Sequence, residues 1–391
     1  MKLKNTLVYL AVLALSVLFL WVGNRMVSQD YKDAYAADDA AYYTGVVTAI
    51  IGRNEHTLGF GFDGVDTEIT FGVRLTTRGE RRGEIITASQ LISDFFIVNE
   101  REVSVGDRVV LFYADWDSTF NFVNYARINA MLIFGGIFIA LVILFARKKG
   151  FNAIVALGFT CIAIFMVLIP AILAGRNIYL TTLVICAYAM VSTLLIVVGV
   201  NKKALSAMIG CIGGALLAGL SMLGMNKVLQ LTGALDRETE VLLLLPTYPP
   251  ISLSAIIFAG VILGAMGAIM DVAMTISSSL WEVKEAGGGG LSNFKDIVKS
   301  GVNIGRDILG TQLNTLILAY IGSSLSLILL VSANAISLTN LFNMEMIVVE
   351  ILRALVGSFG MLLTVPLTAT ICAWIYPLGK FSSKASAKSK C

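Results

Sequence analysis

The chain has 391 residues, of which 57% are hydrophobic and 14% charged, against roughly 45–50% and about 25% in soluble globular proteins. The excess sits in runs of about twenty apolar residues, each long enough to cross the roughly 30 Å hydrocarbon core as a helix; this argues against a soluble enzyme, a disordered chain and a nucleic-acid binder. The net charge of +3 hides two different parts: residues 28–126 carry 16 acidic and 8 basic side chains, and the remainder carries 10 and 21.

In chain order, Lys2 and Lys4 precede the apolar run 7–22. That is the charged start and apolar middle of a signal sequence, but no small-x-small site precedes Trp21-Val22-Gly23. Residues 1–27 therefore read as an uncleaved anchor helix, with Ala34-Tyr35-Ala36 as the alternative, a late cleavage site. Residues 28–126 read as β structure. The stretches 42–51, 68–77, 84–88, 108–114 and 120–125 are short, rich in β-branched and aromatic residues, and separated by Gly, Asn and Asp. A small barrel closes them naturally, the Val103 to Val109 segment is a turn between strands, and five strands permit an OB-like fold. Such a domain either binds a ligand or docks onto a partner.

Seven further apolar runs follow, at 128–146, 151–173, 178–200, 205–225, 251–276, 308–332 and 347–376. The expected fold is an all-α polytopic membrane protein of about eight transmembrane helices, with a small β-barrel-like extracytoplasmic domain between the first and second spans. Residues 127–377 form the seven-span part and 378–391 a basic cytoplasmic tail. The inner loop 277–306 contains four glycines, Gly287 to Gly290, which read as a hinge. After them Leu291, Phe294, Ile297, Val298 and Val302 mark a short amphipathic helix lying in the membrane interface. Gly301 to Arg306 lacks the Gly-Lys-Ser/Thr ending and preceding strand of a phosphate loop. With the N-terminus inside, fifteen of the Lys and Arg residues outside the 28–126 segment fall in inner loops and six in outer ones. The positive-inside rule then puts both termini in the cytoplasm and 28–126 outside.

Cysteine and histidine are too few for several chemistries. The 28–126 segment has no cysteine and holds the sole histidine, His56; Cys161, Cys186, Cys211 and Cys372 lie in apolar runs and Cys391 ends the sequence. No disulfide framework, no metal site and no cofactor is expected. The chain is also not expected to be an enzyme: a metalloprotease needs a His pair, a Ser or Cys hydrolase needs a base, and an aspartic intramembrane protease needs two carboxylates at one depth.

Ionisable groups within spans are costly and mark candidate functional sites. Asp271 sits about one and a half turns from the inner end of the sixth span, with Gln312 and Asn314 at a similar depth in the seventh; together they are expected to form an inward-facing polar cluster. Ser277, Glu282, Arg306 and Asp307 continue it toward the cytoplasm as an inner gate. Glu350 and Arg353, three apart on one helix face, form an outer group, and Tyr320, Ser323, Ser324 and Ser326 line the stretch between. The alternative is structural: Asp271 paired with Arg306 or Gln312, and Glu350 with Arg353 as an interfacial pair. Gly210 and Gly214, and Gly260, Gly264 and Gly267, read as helix-packing seams. Pro366 allows a kink in the last span.

Several of these segments resemble the YibE/F family of bacterial multispan membrane proteins. They are Gly264 to Thr275, Ser277 to Glu282, Gly305-Arg306-Asp307-Ile308-Leu309-Gly310-Thr311-Gln312-Leu313-Asn314-Thr315-Leu316, and Glu350-x-x-Arg353 followed by Gly357-Ser358. The Arg78 to Glu84 turn and Gly106-Asp107 resemble the longer, YibE-like members. The resemblance implies a bacterial cytoplasmic-membrane location and a hetero-oligomer with a shorter relative lacking the outer domain. It implies no substrate. The polar clusters point to a transporter or permease subunit for a small solute or ion; the rival is a non-transporting assembly, envelope or regulatory component whose outer domain binds a partner.

Overall fold

The computed structural model describes residues 2–32, 42–57, 65–77, 81–93, 101–114, 119–235, 237–244, 250–285, 293–333 and 337–376. The glycine hinge, the basic tail, the Ala34-Tyr35-Ala36 stretch and Asn334 lie outside these residues. Two compact units are present, residues 35–145 and the two segments 1–34 and 146–391.

The first unit contains a closed five-stranded barrel. Its strands are β1 (Tyr42–Thr57), β2 (Val65–Leu75), β3 (Ile85–Ser93), β4 (Arg108–Ala114) and β5 (Thr119–Tyr125), in the order β1-β2-β3-β5-β4. All pairings are antiparallel except the short β3–β5 one. That order, with a parallel β3–β5 contact, is OB-like. Ile69, Phe71, Val73 and Leu75 alternate along β2 and are all buried, and with Val47, Val109 and Leu111 they fill the interior. β1 runs six residues past the expected end, because it curls through two register shifts, at Val47/Ala49 and Ile50/Gly52, and pairs with β2 and β4 in turn. The Val103 to Val109 turn is fixed by Gly106 at φ +93° and by Asp107, whose carboxylate accepts from the Ser104 amide at 2.9 Å. Buried Gln90 closes the β3 side: its side-chain amide Nε2 donates to the Arg101 carbonyl at 3.1 Å, and its Oε1 accepts from the Val103 amide at 3.0 Å.

The helical elements are α1 (Lys2–Lys32), α2 (Ile128–Ala163), α3 (Ile169–Leu173), α4 (Ile178–Val197), α5 (Lys202–Leu229), α6 (Arg237–Val241), α7 (Leu253–Glu285), α8 (Phe294–Ser323), α9 (Leu325–Ala333), α10 (Leu338–Leu341) and α11 (Glu345–Ile375). Among the described residues, six helical stretches are long and apolar enough to span a membrane. One of them, Ile128–Leu173, contains two expected spans: the backbone at Arg147 leaves the helical region (φ 49°, ψ −127°) where Arg147-Lys148-Lys149 were read as a loop. A wide turn at Ile164–Leu168, just before Pro170, lies where the proline cannot supply an amide to the helix ladder. The expected seventh span is divided into α8 and α9 at Ser324.

In the second unit α11 lies against α5, α7 and α8. The α5–α11 seam is the expected small-residue kind: Gly210 and Gly214 face Thr368 and Thr364 so closely that a Cβ at either would collide with the threonine hydroxyl. The α7 seam differs from expectation. Gly260 and Gly267 face open space, and only Gly264 has a close neighbour, the Tyr320 hydroxyl, which would lie 2.6 Å from an added Cβ. Asn177 and Asn201 cap α4 and α5 by accepting from Leu180 and Ala204. α5 ends at Gln230 in the left-handed region.

The expected inner loop 277–306 is mostly helix. α7 continues to Glu285 and α8 begins at Phe294. The amphipathic stretch is not a separate interfacial helix, because its apolar side continues the packed side of α8: Ile297, Gly301, Gly305 and Leu309 are buried, with Gly301 against Leu280 and Ala369 and Gly305 against Val365.

Candidate functional site

The outer polar group is assembled as a bonded cluster. Glu350 and Arg353 stand one turn apart on α11, and Arg353 Nη1 donates to Glu350 Oε1 at 2.8 Å. Ser324, at the break between α8 and α9, donates its hydroxyl to Glu350 Oε2 at 2.7 Å. The break has a local cause in Gly322-Ser323-Ser324, where glycine and serine are poor helix formers and each hydroxyl competes with the ladder; Ser323 bonds the Tyr320 carbonyl at 2.9 Å. Both carboxylate oxygens are thus held, and the Glu350 and Arg353 side chains retain 22% and 27% of their exposure.

Beside the cluster is a cavity of about 440 Å3 between α8, α9 and α11. Its walls are apolar, from Ile317, Ile321, Leu327, Ile351 and Leu355, and its polar lining comes from Tyr320, Ser324, Ser332 and Glu350. Near the cluster, but outside the cavity lining, three enclosed polar atoms have no hydrogen-bond partner among the described residues: Tyr320 Oη, which faces Gly264 of α7, Arg353 Nε and Ser358 Oγ. Each such atom costs about 1–3 kcal/mol unless something pairs with it. A few convergent polar groups in an apolar concavity are what a small-molecule site requires.

The inner residues are arranged differently. Gly264 meets Tyr320 and Gly301 meets Leu280, so α7 and α8 run antiparallel and Asp271 stands level with Thr311 and Gln312. The Asp271 side chain is exposed, as are Thr275, Thr311, Asn314 and Thr315; Gln312 is half-buried. Among the described residues no hydrogen bond joins Asp271 to Gln312 or Asn314. The Thr275 hydroxyl donates to the Asp271 carbonyl at 2.7 Å, which ties it to its own helix. Glu282, Arg306 and Asp307 are exposed further toward the α7 C-terminus and the α8 N-terminus.

Ser277 stands apart from these. It is fully enclosed, donates to the Lys203 carbonyl at 2.7 Å and lies 2.8 Å from Tyr376 Oη. Tyr376 in turn donates to the Ser277 carbonyl at 2.8 Å. This ties together the end of α7, the start of α5 and the end of α11. Sequence reasoning took Tyr376 only as the end of an apolar run; a lone tyrosine closing a span beside a Ser triplet is a weak signal for such a clamp. Glu345, at the start of α11, makes a second such tie. It accepts from Thr232 Oγ1 at 2.8 Å and from the Gly233 amide at 2.6 Å, fastening the loop after α5 to the start of α11.

The family described as YibE/F-like protein matches residues 134–378. The chain belongs to that family. The match takes in every candidate residue from Asp271 to Arg353, and it begins within α2, so α1 and the barrel precede it. With the apolar helices, this makes the chain a multi-pass membrane protein. Neither the curated proteins nor the solved structures include a match.

Proposed function

We propose that this protein is a transporter or permease subunit for a small polar solute or ion in a bacterial cytoplasmic membrane. The observation that supports this best is the cavity of about 440 Å3 whose apolar walls carry Glu350, Ser332 and, at the helix break, Ser324, with the Arg353 guanidinium bonded to Glu350 behind it. Discontinuous helices at membrane depth are tolerated where they line cavities, and transporters build binding sites from them. In this reading Glu350 and Arg353 form the outer gate or binding point. Asp271, with Gln312 and Asn314, is the inner coupling group, and Glu282, Arg306 and Asp307 lie at the inner mouth. Intramembrane carboxylates and amides face a watery cavity or another protein surface rather than lipid. The exposed polar faces of α7 and α8 therefore fit a pathway wall completed by a second subunit, a shorter relative lacking the barrel. Eight spans, both termini inside and residues 28–126 outside complete the arrangement.

The test is thermal melting of the purified chain in detergent with divalent metals, inorganic anions and amino acids, alongside Glu350→Gln and Asp271→Asn. A ligand at a hundred times its Kd stabilises the binding form by about 2.7 kcal/mol. A stabilising compound that loses its effect in Glu350→Gln supports the reading. Compounds that stabilise both variants as well as wild type refute the assigned site. A panel with no effect, together with a partner protein captured through the barrel, favours the non-transporting alternative.

A further inference from the structure

The polar side chains that line the cavity beside Glu350 have already committed their protons. The Ser324 hydroxyl donates to Glu350 Oε2 at 2.7 Å, and the Ser332 hydroxyl donates to the Ile328 carbonyl at 2.7 Å. Tyr320 turns its hydroxyl toward Gly264 of α7, where an added Cβ would lie 2.6 Å from it. What remains toward the cavity is acceptor capacity. A carboxylate has about four lone-pair sites, and Glu350 accepts only from Arg353 and Ser324. Each serine oxygen also keeps lone pairs. Among the described side chains lining the cavity, none offers it a free donor.

Charge points the same way. Glu350 lines the cavity and Arg353 does not, so the ion pair turns its negative end to the cavity and holds the guanidinium behind it, bonded at 2.8 Å. A pair so oriented attracts a cation placed beside the carboxylate and repels an anion, and apolar walls strengthen both effects by lowering the local dielectric. The walls fix the rest of the guest. Pockets of about 300–1,000 Å3 enclose drug-sized molecules, so about 440 Å3 is far more room than a bare metal cation fills. A carboxylate, phosphate or sulfate would bring acceptors to acceptors. A hydrocarbon would leave the remaining Glu350 and serine lone pairs without a donor in an apolar space. A protonated amine on an apolar body satisfies both, since an ammonium brings donors and no acceptor.

We propose that this cavity binds an organic amine, with its ammonium on the Glu350 and serine oxygens and its apolar body against α8, α9 and α11. This rests on the reading of the cavity as the solute site and names the class of that solute. The test is scintillation proximity binding of tritiated phenylbutylamine to the full chain in lipid nanodiscs. Empty nanodiscs are the blank, and phenylbutanol and phenylbutyrate, which carry a similar body, are the competitors. The expected result is saturable binding of one amine per chain, with the alcohol and the acid at least about tenfold weaker. Glu350→Gln should weaken the amine about tenfold, the loss of one charge-assisted bond, and Ala354→Phe, which fills the cavity from its wall, should abolish binding. Absence of saturable binding, or an acid or alcohol within about twofold of the amine, overturns the proposal. Uptake by proteoliposomes separates it from transport. An amine that binds through Glu350 and is not taken up supports the amine site and refutes transport; another solute taken up through Glu350 by a chain that binds no amine does the reverse. Should both variants fail to accumulate, the ranking of the three compounds on the wild-type chain decides it.

Discussion

Removing Arg353 should expose how much the outer cluster depends on it. In Arg353→Leu, Glu350 keeps the Ser324 hydroxyl on Oε2 and loses the 2.8 Å guanidinium contact on Oε1. The charge-assisted bond accounts for about 1.5–3 kcal/mol, and stranding a buried charge brings the total to about 3–5 kcal/mol. Because the two side chains keep 22% and 27% of their exposure, the low end applies, about 3 kcal/mol. Glu350→Gln with Arg353→Leu removes the stranded charge, so the double variant should recover most of the loss, with a coupling of about 2 kcal/mol. Thermal melting in detergent reads this as a fall of about 6 °C for the single variant and a much smaller one for the double. An Arg353→Leu protein as stable as wild type would show that the pair is solvated and that the cavity beside it is no preorganised site.

Three other outcomes follow from residues already described. Asp271→Asn should accumulate and melt like wild type, since among the described residues no side-chain bond holds the carboxylate and it lies outside the packed core; a loss of several degrees would make Asp271 structural. Tyr376→Phe should cost about 1–2 kcal/mol, because the Ser277 carbonyl loses its 2.8 Å donor in an enclosed position; an unchanged melting temperature would refute the clamp. Gln90→Ala leaves the Val103 amide and the Arg101 carbonyl without their partner, a loss of about 2 kcal/mol, seen by hydrogen exchange as faster exchange at Val103, and unchanged protection there would contradict it.

Long apolar runs are legible because a span needs little more than length, and the barrel strands because alternation on a closed sheet repeats every second residue. Arg108–Ala114 matches its predicted bounds. β1 was read short because Arg53, Asn54 and Glu55 are all exposed and give no alternation to follow. The continuity of α8 was hidden by its composition: Lys295, Lys299 and Arg306 break the apolar run, although the buried side, Ile297, Gly301, Gly305 and Leu309, keeps strict helical spacing. For the site, the spacing of Glu350 and Arg353 on one face announced their pairing. Ser324 did not announce its bond to Glu350, since a contact between residues 26 apart depends on where α8 breaks. Depth alone suggested that Asp271, Gln312 and Asn314 would gather. Depth does not fix the rotation of each helix, and that rotation leaves Asp271 and Asn314 exposed.

Closure of the barrel also restricts how the first unit could meet another molecule. Among the described strands each has hydrogen-bonded neighbours on both sides, the short β3–β5 pairing completing the ring. Where a strand is paired on both sides it presents no row of unpaired amides and carbonyls, so recognition by strand addition is ruled out along those lengths; the stretch of β1 beyond Val47 pairs with β2 alone among the described strands. Any binding to the paired wall must then run through side chains, which makes it sensitive to point substitutions at the barrel surface and indifferent to the backbone of the guest.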